Sequence, residues 1–227
     1  MRRVAVVGML WISACVSMSA QTPSPDRPGP YVIDVRGATL SLPDAAAFFP
    51  SLPRSTAIPS QGYGIDAGAH IYLLQLGPAR LGIGGMFLRV RGTAASSAVS
   101  STGSTASSAV TTPAVATLVT TVSPQLSVNF GSKAGWSYLS AGVGRTEITT
   151  RSGAFTDTAT QGQVVQARLL DSGALSNINF GGGARWFAKS HLAFSFDVRF
   201  HMLGAGGETT ATPGSTLVAV SAGLSLK

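Results

Sequence analysis

Ser195, Asp197 and His201 share one side of an alternating segment, HLAFSFDVRFHM at 191–202, and are the residue types of a nucleophile, an orienting carboxylate and a general base. Such groups cooperate only within hydrogen-bond reach, about 2.6–3.2 Å. In an extended strand each residue advances about 3.3 Å, which puts Asp197 and His201 roughly 13 Å apart. No triad forms within the strand, and no enzyme is expected. His70, His191 and His201 are scattered and Cys15 is the only cysteine, so no metal site is expected either. Gly82-Ile83-Gly84-Gly85 and Gly181-Gly182-Gly183 have the composition of phosphate loops, which work at a helix N-terminus. No helical pattern follows either run, so the glycines read as close strand approach and sheet curvature, and no cofactor is expected.

The same segment says more about faces than about catalysis. Leu192, Phe194, Phe196, Val198, Phe200 and Met202 alternate without a break against Ala193, Ser195, Asp197, Arg199 and His201. A strand sends successive side chains to opposite faces, so one face is wholly apolar and the other carries two charges and an imidazole. In a soluble sandwich the apolar face packs on a second sheet. In a transmembrane barrel it meets lipid while the polar face lines the bore.

Alternation and turn residues predict eight strands, near 31–38, 62–74, 79–91, 117–130, 134–148, 176–188, 191–203 and 215–226. Most exceed the usual globular length of about 5–6 residues and suit tilted membrane strands. Their connections alternate in length. Gly77-Pro78, Gly131-Ser132-Lys133 and Lys189-Ser190 are tight, whereas 39–61, 92–116, 149–175 and 204–214 are long. A barrel inserted from one side of a membrane has this rhythm, with short turns at one end and long loops at the other. The first long loop holds Pro43, Pro50, Pro53 and Pro59; the second is an uncharged Ser/Thr/Ala tract that reads as a flexible solvated loop, a sugar-contacting or glycosylated surface being the sharper alternative. Aromatic residues then divide between the ends as two girdles: Tyr31, Tyr72, Phe130, Trp136, Tyr138 and Trp186 at the turn end, Tyr63, Phe87 and Phe200 at the loop end. A bulge near Gly84-Gly85 is needed to keep the third strand in phase, Pro124 interrupts the fourth, and the fifth is ambiguous in face.

Composition agrees. Only 11% of the 227 residues are charged and 27 are glycine, yet no stretch approaches the about 20 apolar residues of a membrane helix. The chain opens MRRVAVVGMLWISACVSMSAQ, which reads as a secretory signal peptide over 1–19, with Ser17 and Ser19 before the cleavage point. Ile12-Ser13-Ala14-Cys15 offers the alternative of a lipidated Cys15. Residues 20–30 form a proline-rich lead-in, and 31–227 form one domain. Removal of Arg2 and Arg3 lowers the formal charge of +7 by two. No arginine or lysine cluster with interleaved aromatics suggests nucleic acid, and anionic lipid head groups are the better partner for the basic excess.

NFGGGARWFAKSHLAFSFDVRFH at 179–201 resembles the glycine-rich strand, tight turn and Asp-x-Arg-x-aromatic strand of the OmpA/OmpX-like bacterial outer-membrane β-barrels, and YLSAGVGRTEI at 138–148 resembles that family's fifth strand. The likeness is architectural over 31–227 and specific in motif over 134–148 and 177–203. It implies an all-β, eight-stranded antiparallel up-and-down barrel, exported, inserted by the outer-membrane assembly machinery, monomeric, and in contact with outer-membrane lipid and lipopolysaccharide. Lys227 departs from the family's usual terminal phenylalanine, and no peptidoglycan-binding domain follows. The His-x-Ser pair of one lipid A acyl-hydrolase barrel family is absent, since His70, His191 and His201 are followed two residues on by Tyr72, Ala193 and Leu203.

The expected interior comprises Asp34, Arg36, Asp66, His70, Arg80, Arg89, Arg91, Arg185, Asp197, Arg199 and His201. Eight strands leave room for little besides side chains, and enclosed charges must pair. A closed salt-bridge network is the expectation, with a structural or surface-interaction role carried by the long loops. The alternatives are a narrow gated channel, favouring anions through its arginine excess, and a soluble lipocalin-like barrel with an apolar cavity.

Overall fold

A computed structural model describes residues 30–42, 59–95, 98–100, 109–111, 114–132, 134–153, 155–157, 163–165, 167–204 and 215–227. The expected signal peptide, the alternative of a lipidated Cys15 and most of the proline-rich and Ser/Thr/Ala loop residues lie outside them.

Eight long strands follow one another in the chain: β1 Tyr31–Ser41, β2 Gln61–Leu76, β3 Ala79–Ala94, β4 Val115–Ser132, β5 Gly135–Ser152, β6 Arg168–Phe187, β7 Leu192–Leu203 and β8 Ser215–Leu226. Each pairs antiparallel with its sequence neighbours, and β8 returns to β1 in the register Ile33↔Leu226 to Leu40↔Ala219, which closes the ring. Closure leaves no edge strand with unpaired N–H and C=O groups, a condition that backbone must meet in lipid.

The strands are longer than their hydrophobic pattern suggests. β4 and β5 have 18 residues each and β6 has 20, so the wall extends at the loop end. β6 starts at Arg168, eight residues before the sequence pattern places it, because a bulge carries the ladder past its break in alternation. Gly173 occupies a positive φ of 64° there, and its N–H donates to Asp171 Oδ1 at 2.9 Å. Two short hairpins stand in the second and third long connections, Ala98–Ser100 with Ala109–Thr111 and Phe155–Asp157 with Gln163–Val165.

The expected bulge at Gly84-Gly85 does not occur. β3 keeps one register with β4 throughout, and the irregularity lies in β2 between Tyr72 and Leu74. With β3 unbroken, the odd residues Phe87, Arg89 and Arg91 face outward and Met86, Leu88 and Val90 inward. Arg89 and Arg91 are therefore on the outside of the wall, not in the bore. The ladder between β4 and β5 does lapse at Pro124, which has no N–H to give.

The outer surface is apolar around the whole waist. Ile33, Leu126, Leu139, Ile178, Phe194 and Leu224 are all exposed, Leu126 by 68%. Water would penalise such a belt by about 25 cal/mol per Å² of apolar surface. The buried set inside is instead rich in Asp, Arg, His, Asn, Ser and Thr.

A candidate functional site in the bore

The bore is filled in three zones, and each follows from which strand positions point inward. At the turn end Val32, Tyr72 and Trp136 are buried together, with Phe187 packed against them. The Tyr72 and Phe187 rings meet Trp136 edge-on at centroid distances of 6.0 and 4.9 Å, and Lys227 Nζ lies 4.0 Å from the centre of the Phe187 ring. At the loop end the inward residues are aliphatic: Leu40, Leu88, Val90, Val119, Ile148, Leu175, Leu203 and Leu217 form one buried cluster. Between these zones lies the ionic one.

Two chains of contacts organise the middle. In the first, Arg185 on β6 grips Asp34 on β1, Nε donating to Oδ1 at 2.9 Å and Nη2 to Oδ2 at 2.7 Å. Ser225 also donates to Asp34, and Arg185 Nη1 reaches Asn129 Oδ1 at 3.2 Å. In the second, Arg36 donates through Nε to Asp66 Oδ2 at 3.0 Å and through Nη1 to the Tyr138 hydroxyl at 2.7 Å. That hydroxyl donates onward to Asp197 Oδ2 at 2.7 Å, and Arg199 donates to the same oxygen at 3.1 Å. Arg199 continues to Ser140 and Asn179, and Asn179 joins Gln125 and Ser123. The chains touch where the Arg185 guanidinium lies 4.0 Å from the centre of the Tyr138 ring and where Arg36 stands 3.8 Å from Asp34.

Six of the eleven residues expected in the interior thus form one network: Asp34, Arg36, Asp66, Arg185, Asp197 and Arg199. Three buried carboxylates oppose three buried guanidiniums, so with Arg89 and Arg91 outside the arginine excess expected of the bore shrinks to the half-buried Arg80. His70 and His201 are buried beside it. His201 Nδ1 lies 3.2 Å from Asn177 Nδ2, and neither ring nitrogen of His70 makes a hydrogen bond of normal geometry. Arg80 is half-buried near the turn end, in register with Asn129.

Tyr138 and Trp136, assigned to an outer girdle, are interior residues that sequence reasoning missed, whereas Tyr72 is inward as the alternation of its strand implies. Each has inward parity in its strand; of that girdle Tyr31, Phe130 and Trp186 are exposed at the turn end, as are Tyr63 and Phe200 at the other. The signal for them was the run Trp136, Tyr138, Ser140, which continues in Thr146, Ile148 and Thr150 as one buried face of β5. Glycines make room for these large inward groups. A Cβ on Gly183 would stand 2.8 Å from the Tyr138 hydroxyl, and one on Gly223 would strike the Arg36 backbone.

The chemistry available is that of a fastener. Ser195 Oγ makes no hydrogen bond, Asp197 is committed to Tyr138 and Arg199, and His201 contacts Asn177, so the three do not come together as a triad. Among the described residues no group of three or more His, Cys, Asp or Glu side chains could hold a metal ion.

No protein-family model matches the chain. No curated protein matches it either. Solved structures do. Neisserial surface protein A is 10% identical, with 88% of this chain and 97% of that one covered at a TM-score of 0.48. Ail, the attachment invasion locus protein of Yersinia pestis, is 11% identical over 86% of this chain and 95% of its own, at 0.41. The outer membrane protein OprG from Pseudomonas aeruginosa is 11% identical over 86% and 94%, at 0.42. The eight-stranded closure itself rests on this chain's own strand register.

Proposed function

We propose that this protein is an outer-membrane barrel with a sealed bore, whose role is structural or lies in surface contact through its long loops. One observation carries the reading: apolar side chains coat the outside of a closed cylinder while three Asp–Arg pairs are enclosed within it. That is the polarity of a membrane solvent outside and a satisfied polar interior. A lipocalin-like barrel has the reverse. The turn end faces the periplasm in this reading, and the long connections at the other end meet the exterior, where surface ligands would be engaged. Export through residues 1–19 and insertion by the assembly machinery belong to the same proposal, as do the absence of a catalytic role and a monomeric state.

A narrow channel is the second reading, favoured by the unpartnered polar atoms along the bore. Among the described residues Asp66 Oδ1, both His70 nitrogens, Ser195 Oγ and His201 Nε2 are buried and accept or donate no hydrogen bond of normal geometry, which is where interior water binds. Water in the middle zone does not make a pore, because the aliphatic cluster closes the loop end and the aromatic one the turn end. Planar-bilayer recording separates the readings. Wild-type protein stays silent, and so do Asp197→Ala and Arg199→Ala, since neither opens the two apolar zones. Ion steps in wild-type protein would replace the sealed-bore reading with the channel. Fractionation into membrane or soluble periplasm, with protease cleavage of intact cells at the long loops, tests location and orientation.

A further inference from the structure

Above the apolar belt, the outward face of β3 changes from Ile83 and Phe87 to Arg89 and Arg91, and that of β5 from Leu139 and Val143 to Arg145, Glu147 and Arg151. The intervening strand β4 changes at the same level, from Leu126 and Val122 to Thr120, which is in register with both Arg89 and Glu147. Tyr63 of β2 lies opposite Arg91 and is 67% exposed. Arg89, Arg91, Arg151, Tyr63 and Thr149 border a shallow groove of about 480 Å³ in the wall, and Arg91 and Arg151 also border the neighbouring hollow towards the loop end. Among the described residues none of these three arginines has an ion-pair partner. Two acids share their face: Glu147, two strand spacings from Arg89, about 10 Å, and Asp171 of β6, which is in register with Thr149 and whose Oδ1 accepts from the Gly173 N–H.

We infer that this groove is a binding site for a phosphorylated glycolipid head group of the outer leaflet, held by Arg89, Arg91 and Arg151. The inference rests on the reading of the chain as an outer-membrane barrel and adds a ligand class and a site to it. Three facts select the occupant. The groove opens sideways, on the wall, where the apolar belt ends, so it faces the head-group layer and not the bulk medium above the loops. The charged groups lining it are guanidiniums, whose planar fork matches a phosphate through two parallel hydrogen bonds. The basic groups are also one-sided: the outward faces of β7, β8 and β1 carry no charged residue at all, so this is a local site and not a girdle. The exposed Tyr63 ring beside Arg91 supplies a flat amphipathic surface of the kind enriched at membrane interfaces.

The test uses the full chain, folded in detergent, with bisphosphorylated lipid A, its dephosphorylated form and phosphatidylglycerol vesicles as probes, and inorganic phosphate as competitor. A heat-modifiable gel shift checks the fold of every variant. At about 1 kcal/mol per arginine near a phosphate layer, lipid A should bind about 100-fold more tightly than its dephosphorylated form. Arg89→Gln, Arg91→Gln and Arg151→Gln combined should erase that ratio, Arg91→Gln alone should lower it by about 5-fold, and Lys189→Gln at the turn end should leave it intact. Equal binding of lipid A by wild type and the triple variant overturns the site, as does unchanged affinity in Arg91→Gln should the triple variant not fold. Equal retention on phosphatidylglycerol, or loss of lipid A to millimolar phosphate, overturns the glycolipid in favour of any anionic surface or free phosphate. A wild-type chain that shows no heat-modifiable band and stays out of membranes overturns the barrel reading itself, and the site with it.

Discussion

Asp34 on β1 and Arg185 on β6 meet fork to fork across the bore, through two parallel hydrogen bonds of 2.9 and 2.7 Å between residues 151 positions apart in the chain. In the ring β1 and β6 are separated by β8 and β7, so the pair braces non-adjacent walls. Both side chains are almost fully buried, Asp34 at 0% and Arg185 at 1% exposure. Their desolvation is offset only while each has the other.

Asp34→Ala leaves the buried Arg185 charge without its carboxylate, and the expected loss is about 3–5 kcal/mol of folding stability. Removing both charges, as Asp34→Leu with Arg185→Met, should recover most of it, because an apolar pair has nothing to desolvate. Denaturant midpoints of the heat-modifiable band measure both. A double variant as unstable as the single one would show that Asp34 acts through Ser225 and Arg36 more than through Arg185.

Tyr138 links Arg36 to Asp197 with one oxygen, accepting from the guanidinium and donating to the carboxylate. Tyr138→Phe removes that oxygen and keeps the ring beneath Arg185, so stability should fall by about 1.5–3 kcal/mol, the size of a hydrogen bond to a charged group. Tyr138→Ala, which also deletes the ring, should lose more in the same unfolding assay. Equal losses would assign the whole effect to the hydroxyl and none to the stacked ring.

The fold was legible because alternation and loop rhythm are local signals. Ile33, Asp34, Val35 and Arg36 assign β1's faces by parity alone, and the structure keeps that assignment. The interior was legible only where charge marked it. Leu40, Leu88, Ile148 and Leu203 are inward yet apolar, like the residues facing lipid, so nothing in their type separates an aliphatic stopper from the outer belt. Position in the strand does, but it needs an unbroken register. On β3 the double glycine suggested a bulge where none exists, and the error turned Arg89 and Arg91 inward. Tyr138 was hidden for a different reason: its role depends on β1 and β7 groups brought together by closure, which no short window of sequence contains.

Gly183 tests how tightly the bore is filled. A Cβ there would strike the Phe196 carbonyl as well as the Tyr138 hydroxyl, so Gly183→Ala should cost about 1–3 kcal/mol and lower the refolding yield. Trimming the tyrosine in a Gly183→Ala, Tyr138→Ala chain should not restore the loss, since the carbonyl cannot move aside. At Gly37 the nearest atom to an added Cβ is 3.9 Å away, and Gly37→Ala should be close to neutral.

The last expectation separates the membrane from water as the solvent of the outer wall. Leu126 is midway between Phe130 and Val122 on the lipid-facing side of β4, and Thr120 is one outward position beyond Val122. Arginine at a bilayer midplane costs about 2–4 kcal/mol, and near the interface about 0–1. Leu126→Arg should therefore destabilise the barrel folded into lipid vesicles by several times as much as Thr120→Arg does. Both residues point away from the bore, so neither substitution disturbs the ionic network or the two apolar stoppers. In a water-soluble barrel the order would reverse, because replacing an exposed leucine with arginine removes apolar surface from water. The ratio of the two losses in vesicles thus reports the surrounding solvent directly, independent of any partner the loops engage.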